Sequence, residues 1–278
     1  MIYSEESGHK TIGMTGFQIK MLGIVLMVLD HVHQMFAPLG IPEWFTMLGR
    51  AVAPMFIFIA VEGFTHTRSK RRYLTRLLVG YWIMGGGSYI LQKFLPLDHG
   101  HYGLANNIFG TLFISVLMML GIYLIQNGHQ DHNKKQLWLG ISIIVGELLW
   151  SILTVLVFFS PNLMLRQGAA VASMIFPGIM ITEGGPLFIA LAILLYLFKE
   201  NRVGQVASIL LIGLTATGFN FVGLLTTNIQ WMLILSIIPI LLYNGARGRS
   251  DKWFFYIFYP THIWLLYILA FALGVTGY

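Results

Sequence analysis

The sequence predicts an all-α polytopic membrane protein: a bundle of about nine transmembrane helices (9–10) with a broken or re-entrant segment near 163–181, folded as one integral membrane domain over 1–278. Three observations carry this. The chain is 56% hydrophobic and only 10% charged, with a mean hydropathy of +0.74, whereas a soluble domain carries about 25% charged residues. Apolar runs of about 20 residues recur along its whole length, the length that crosses hydrocarbon as a helix with every backbone group satisfied internally. Lys and Arg collect in short segments between those runs.

Helices are expected at about 17–36, 46–66, 72–93, 106–126, 136–158, 184–199, 203–222, 229–244 and 254–276. The first apolar run follows a polar start, Met1 to Gly16, and contains Asp30 and His31, so a cleavable signal peptide is not expected. The second contains Pro54, which removes a backbone donor and should kink it. The third leaves the densest basic cluster of the chain, Thr65 to Tyr73. After the runs at 106–126 and 136–158, Leu163 to Ile181 is apolar but broken by Gly168, Pro177 and Gly178, and the breakers continue through Glu183-Gly184-Gly185-Pro186. The final run enters through Tyr243-Asn244-Gly245-Ala246-Arg247-Gly248-Arg249.

The loops set the topology. Basic residues cluster at Arg68 to Arg76, at Lys134-Lys135, around Lys199 and Arg202, and at Arg247, Arg249 and Lys252, and short basic loops face the cytoplasm. That parity requires Leu163 to Lys199 to cross an odd number of times, hence a re-entrant segment plus one span. About nine full crossings result, with the N-terminus cytoplasmic and Arg50, Lys93 and Arg166 toward the outer face. The net charge of +6 needs no nucleic-acid partner, because basic loops against anionic lipid account for it. The absence of cysteine excludes a disulfide framework, a thiolate nucleophile and lipid carried on sulfur. No internal repeat of the transporter kind is visible.

Ionisable residues inside a membrane default to functional hypotheses, since each costs roughly 2.5–3.5 kcal/mol near the bilayer centre on insertion scales. Met27, Asp30, His31 and Gln34 share one helix face, so Asp30 and His31 can look into one cavity while His33 points elsewhere. An imidazole beside a carboxylate suits proton transfer near neutral pH; a polar pair joining helices is the structural alternative. On the second helix Arg50 and Glu62 are separated by about 18 Å and need partners from other helices. Arg50 would bind an oxyanion or neutralise Asp30, and Glu62, near the inner face, would have a structural partner. The Thr65 to Tyr73 cluster is a topology anchor or a cradle for a phosphorylated cytosolic ligand. Tyr259 and His262 share a face at a depth matching the first-helix pair. His99 with His101, and His129 with Asp131 and His132, read as solvated loop rather than metal ligands, and no metal is expected. Glu147 has no assigned role. No Ser/His/Asp signature, Walker loop or dinucleotide fingerprint is present.

At these residues the chain resembles the TraX family of bacterial membrane proteins, known for N-terminal acetylation of pilin and distantly related to the membrane acyltransferase superfamily. The likeness rests on Leu29-Asp30-His31, on Gly49-Arg50 to Pro54-Met55-Phe56, on Glu62-Gly63-Phe64 to Thr67-Arg68, on Arg71-Arg72-Tyr73 with Arg76, and on Tyr243-Asn244-Gly245 to Tyr259-Pro260-Thr261-His262. Asn106-Asn107 to Phe109 and Glu183-Gly184 match more loosely.

The resemblance implies a multi-pass enzyme of the bacterial cytoplasmic membrane that moves an acetyl group from cytosolic acetyl-CoA to an amine or hydroxyl of a pilin-like protein, a glycan or a small amine, alone or as a homodimer. It implies a tunnel histidine, here His31, which would deprotonate the acceptor, with Asp30 orienting it, or be transiently acetylated itself, and Tyr259, His262, Asn107 or Arg50 would donate to the oxyanion. The CoA phosphates would meet Arg68, Arg71, Arg72 and Arg76, helped by Arg247 and Arg249. The competing class is a proton-coupled carrier in which Asp30, Glu62 and His262 relay protons and Arg50 binds an anion. For the enzyme, Asp30, His31, Arg50, Tyr259 and His262 should line one cavity that opens toward Arg68 to Arg72, with His31 and His262 facing each other.

Overall fold

The computed structural model describes residues 13–97 and 104–275. Eleven α-helices follow one another: α1 (Gly16–Phe36), α2 (Trp44–Gly49), α3 (Val52–His66), α4 (Lys70–Phe94), α5 (Ile108–Gln130), α6 (Lys134–Phe158), α7 (Leu163–Ile175), α8 (Gly185–Leu197), α9 (Arg202–Ala216), α10 (Ile237–Leu241) and α11 (Lys252–Ala272). Short 3-10 turns flank several of them, the longest being Gln230–Ser236 ahead of α10. No β-strand occurs among the described residues; one isolated bridge joins Met14 to Tyr243.

Among the described residues, five segments are long and apolar enough to cross a membrane: Gly16–Leu39, Trp44–His66, Ile108–Gln130, Lys134–Phe158 and Trp253–Ala272. Shorter apolar helices cover Leu163–Ile175, Gly185–Leu197, Arg202–Ala216 and Gln230–Leu241. The expected helices at 203–222 and 229–244 are therefore shorter than their apolar runs. The first ends at Ala216 and gives way to turns around Gly218 and Gly223, both at positive φ. Helix length alone supports five spans rather than fixing nine.

Local chemistry explains the boundaries that matter for the site. α1 opens with a capping box in which Thr15 Oγ1 accepts from Gln18 N and Gln18 Oε1 accepts from Thr15 N. Its next free amides are satisfied from elsewhere: Gly16 N donates to Ala246 O at 2.8 Å and Phe17 N to Arg247 O at 3.0 Å. The start of α1 is thereby fixed to the segment that leads into α11, and Arg247 is held beside it. Pro54 does more than kink its helix. It would have donated to the carbonyl of Arg50, and it is there, at Arg50 and Ala51, that the span divides into α2 and α3. Ser69, Asn133, Asn162 and Asn201 cap α4, α6, α7 and α9 through side-chain oxygens.

α5 is the central helix, with 61% of its apolar window buried; it packs against α3, α4, α6 and α8. α6 and α7 are peripheral, and Leu149, Leu156, Phe159, Met164 and Ile175 are exposed along them, as lipid-facing surfaces require. The broken segment expected near 163–181 is α7 followed by a 3-10 turn at Ile179–Ile181. Tyr81 Oη donates to Ser173 O, Trp82 Nε1 to Ile175 O and Trp150 Nε1 to Phe176 O, so aromatic side chains satisfy the carbonyls at the end of α7.

Candidate functional site

A cavity of about 1090 Å³ runs between α1, α3, α4, α5, α8 and α11, above the upper end of the 300–1,000 Å³ typical of small-molecule sites. It follows α1 from Gly16 to His31, fifteen residues or about 22 Å at 1.5 Å per residue.

One end is cationic. Lys20, Arg68, Arg76 and Arg247 all line it, with Glu62 as the acid there. Glu62 is engaged, accepting from Tyr243 Oη at 3.3 Å and lying 3.9 Å from His66 Nδ1. Among the described residues the ion pairs are Arg50–Asp30, His66–Glu62 and Arg249–Asp251, so none of the four cations at this end has a carboxylate partner there. Arg76 stands over the Tyr73 ring, 5.9 Å from its centroid, and its buried Nε has no hydrogen-bond partner. Buried donors without partners are rare, and four cations around one opening ask for an anion.

The other end holds the histidines. His31 Nδ1 lies 2.8 Å from His262 Nε2, and the two rings stack with centroids 5.0 Å apart. His262 Nδ1 is 2.8 Å from the carbonyl oxygen of Phe258. A carbonyl only accepts, so His262 Nδ1 carries a hydrogen, and in its neutral ring Nε2 is then an acceptor. His31 Nδ1 donates to it. The unprotonated nitrogen of His31 is therefore Nε2, and His31 lines the cavity. Phe258 stacks on His262 at 4.8 Å.

Around this pair three consecutive residues at the start of α5 each donate to one cavity group. Asn106 Nδ2 lies 3.4 Å from His31 Nε2, Asn107 N donates to Glu183 Oε2 at 3.1 Å, and Ile108 N donates to Tyr259 Oη at 3.1 Å. Asn106 is held in turn by a reciprocal amide pair with Gln34. The free amides of a helix N-terminus are thus used to fix Glu183 and Tyr259, whose rims face the same space.

Asp30 lines the cavity but is not bonded to His31. It accepts from Thr46 Oγ1 at 2.5 Å and from Arg50 Nη2 at 2.8 Å. Arg50 also donates through Nε to Thr46 O and through Nη1 to Gln230 Oε1. Between the two readings of Arg50, neutralising Asp30 is what its bonds do. Asp30 correspondingly does not orient the imidazole; His262 and Asn106 do. Close approach of α1 and α2 allows this, because a Cβ on Gly49 would collide with Asp30 Cβ and Cγ. Gly49→Ala should therefore lower the melting temperature. Overpacking costs about 1–3 kcal/mol, against at most about 1 kcal/mol gained in helix propensity, and an unchanged or raised melting temperature would show that α1 and α2 can part freely.

Asp30, His31, Arg50 and Tyr259 line the cavity with Arg68, Arg76 and Arg247, and His262 joins them through its bond to His31. Arg71, Arg72, Arg249 and Asn107 do not line it. Arg71 and Arg72 lie on the exposed first turn of α4, Arg249 pairs with Asp251 at 2.7 Å, and the Asn107 amide donates to Tyr81 O at 3.0 Å. His99 and His101 fall outside the described residues. Lys20, Thr46 and Gln230 take part without having been singled out, and Glu183 and Asn106, named only as loose points of resemblance, take part without having been given a role. Lys20, a lone cation one turn into an apolar run, and Asn106-Asn107, paired amides before one, were the visible signals.

A probable fimbrial assembly protein FimC, serogroup H1, from Dichelobacter nodosus is 24% identical over 267 residues, covering 92% of this chain and 96% of that protein. No solved structure matches. The sequence also matches the family described as TraX protein over residues 15–270, a span that takes in every cavity element from the cap of α1 to the body of α11, and the chain belongs to the TraX family.

Proposed function

We propose that this chain is an acetyl-CoA-dependent acetyltransferase of the bacterial cytoplasmic membrane, crossing it about nine times with its N-terminus in the cytoplasm. The observation that carries the reading is one cavity joining a cationic opening without counter-ions to a buried histidine pair about 22 Å away along α1. Acetyl-CoA has the matching shape: a phosphorylated head, a long thin arm and a reactive thioester at its tip.

Arg68, Arg76, Arg247 and Lys20 hold the phosphates, and the arm lies along Ile24, Met27, Phe56 and Ala60. The thioester reaches His31. As the acceptor N–H or O–H attacks the thioester carbon, its proton passes to His31 Nε2 in place of the long 3.4 Å contact from Asn106 Nδ2, and the charge that develops on the imidazole is shared through Nδ1–H with His262. The C–S bond breaks, and the proton returns from His31 to the departing thiolate. Tyr259, whose oxygen already accepts from Ile108 N, has its hydroxyl hydrogen free to donate to the thioester oxyanion.

The FimC relative is named for fimbrial assembly, which makes a pilin-like protein one candidate acceptor beside a glycan or a small amine. A proton-coupled anion carrier fits less well, because the donors of Arg50 are engaged by Asp30, Thr46 and Gln230. The test is direct. Purified protein in lipid nanodiscs should bind acetyl-CoA with an affinity that falls with added salt, and absence of binding would end the acetyltransferase reading.

A further inference from the structure

We propose that Glu183 is the acceptor-binding residue of this cavity, and that the acceptor's reacting end carries at least two hydrogen-bond donors and no negative charge. The inference rests on the acetyltransferase reading and deepens it. Glu183 is the one carboxylate lining the cavity, among the described residues, that neither an Arg nor a His holds: Asp30 pairs with Arg50, and Glu62 lies near His66 at the opposite end.

The backbone is built to present it. Glu183 sits in the break between the 3-10 turn Ile179–Ile181 and α8, followed by Gly184 and Gly185, both at positive φ of 72° and 52°. A Cβ on Gly184 would run into the Phe188 ring, so glycine is required there on two counts. Thr111 Oγ1 donates to the Glu183 carbonyl at 2.6 Å, and Asn107 N donates to Oε2 at 3.1 Å. Both bonds fix the residue and leave the second carboxylate oxygen for a ligand. A carboxylate in a membrane cavity that forms no ion pair with an arginine or histidine is costly to retain.

Adjacent residues contact Glu183 and the base. Asn106 approaches His31 Nε2 and Asn107 holds Glu183, and His31 and Glu183 line the same cavity. Two hydrogen-bond acceptors thus belong to one cavity: His31 Nε2, which takes the reacting proton, and Glu183, which needs a different one. A group with a single hydrogen cannot serve both. An amine, or a hydroxyl beside a second hydroxyl, can. An anionic reacting end is repelled by Glu183 and finds no free cation, since Arg50 is engaged. When the acceptor attacks, the proton on the reacting atom goes to His31 and then to the CoA sulfur, while the hydrogen given to Glu183 stays on the acceptor.

Glu183→Gln is the decisive variant, because the amide oxygen still accepts from Asn107 N and preserves the fold while the negative charge is removed. Membranes from cells making wild type, Glu183→Gln, Glu183→Asp or His31→Ala are given radiolabelled acetyl-CoA, and label entering envelope polymers and proteins is followed against acetyl-CoA concentration. The expected result for Glu183→Gln is at least a tenfold fall in maximal transfer, with the half-saturating acetyl-CoA concentration unchanged within twofold and partial recovery in Glu183→Asp. Transfer above half of wild type in Glu183→Gln overturns the proposal, and so does a parallel rise in half-saturating acetyl-CoA, which is the mark of a merely structural role. If no label depends on this chain even in wild type, the acetyltransferase reading itself falls, an outcome separable from loss in the Glu183 variants alone.

Discussion

Replacing His31 by alanine should reduce acetyl transfer by roughly 10²–10⁴-fold, the range general-base catalysis contributes, while leaving acetyl-CoA binding and the melting temperature close to wild type. The reason lies in position: His31 lines one end of the cavity, whereas the cations proposed to hold the cofactor are at the other. His262→Ala should do less, on the order of tenfold to a hundredfold, because it removes the acceptor of the His31 Nδ1 hydrogen and leaves the base in place. His262→Gln should recover part of that loss, since an amide oxygen can also accept from Nδ1. Transfer rates measured in nanodiscs with the three variants decide the matter. Activity above a tenth of wild type in His31→Ala would remove the histidine from the chemistry, and a His262→Gln variant as impaired as His262→Ala would remove the relay.

Much of this arrangement was legible because membrane physics makes polar residues conspicuous. Asp30 with His31, Arg50 and His262 are each too polar for lipid and stand on three different apolar runs, so their convergence followed from cost alone. What the chain could not disclose was pairing. Asp30 and His31 are neighbours on one helix, and adjacency suggested that the carboxylate serves the imidazole. The structure gives Asp30 to Arg50 and Thr46, and His31 to His262, because a residue's partner is fixed by which helix packs against it. Gly49 is an example: its missing side chain lets α2 approach Asp30, and nothing near Gly49 in sequence announces that contact. Glu183 was hidden by its setting, since Glu183-Gly184-Gly185 reads as a chain break before it reads as a site. Element lengths failed for a related reason. The apolar run after Arg202 continues past the end of α9 at Ala216, and apolarity specifies burial or lipid contact, not helix.

The basic cluster offers the sharper test of how the cofactor is held, because neighbours in sequence should behave oppositely. Arg76→Ala should weaken acetyl-CoA binding by roughly 10- to 150-fold, the equivalent of losing a hydrogen bond to a charged group worth about 1.5–3 kcal/mol. Its guanidinium lines the cavity over the Tyr73 ring with Nε buried and unpartnered, and an ion that meets an anion away from bulk water is weakly screened. Arg71→Ala and Arg72→Ala, both exposed on the first turn of α4 and off the cavity wall, should change affinity less than threefold, in the range of surface charge effects. Arg68→Ala and Arg247→Ala should fall between these limits, because each lines the opening but Arg247 also donates to Ser250 Oγ. Removing Arg71 and Arg72 together should instead disturb orientation, as the loss of a topology anchor would. Titrations of acetyl-CoA at two ionic strengths separate the cases. If Arg71 and Arg72 matter as much as Arg76, the phosphates sit on the outer rim of the loop rather than inside the opening, and the thioester would then stop short of His31.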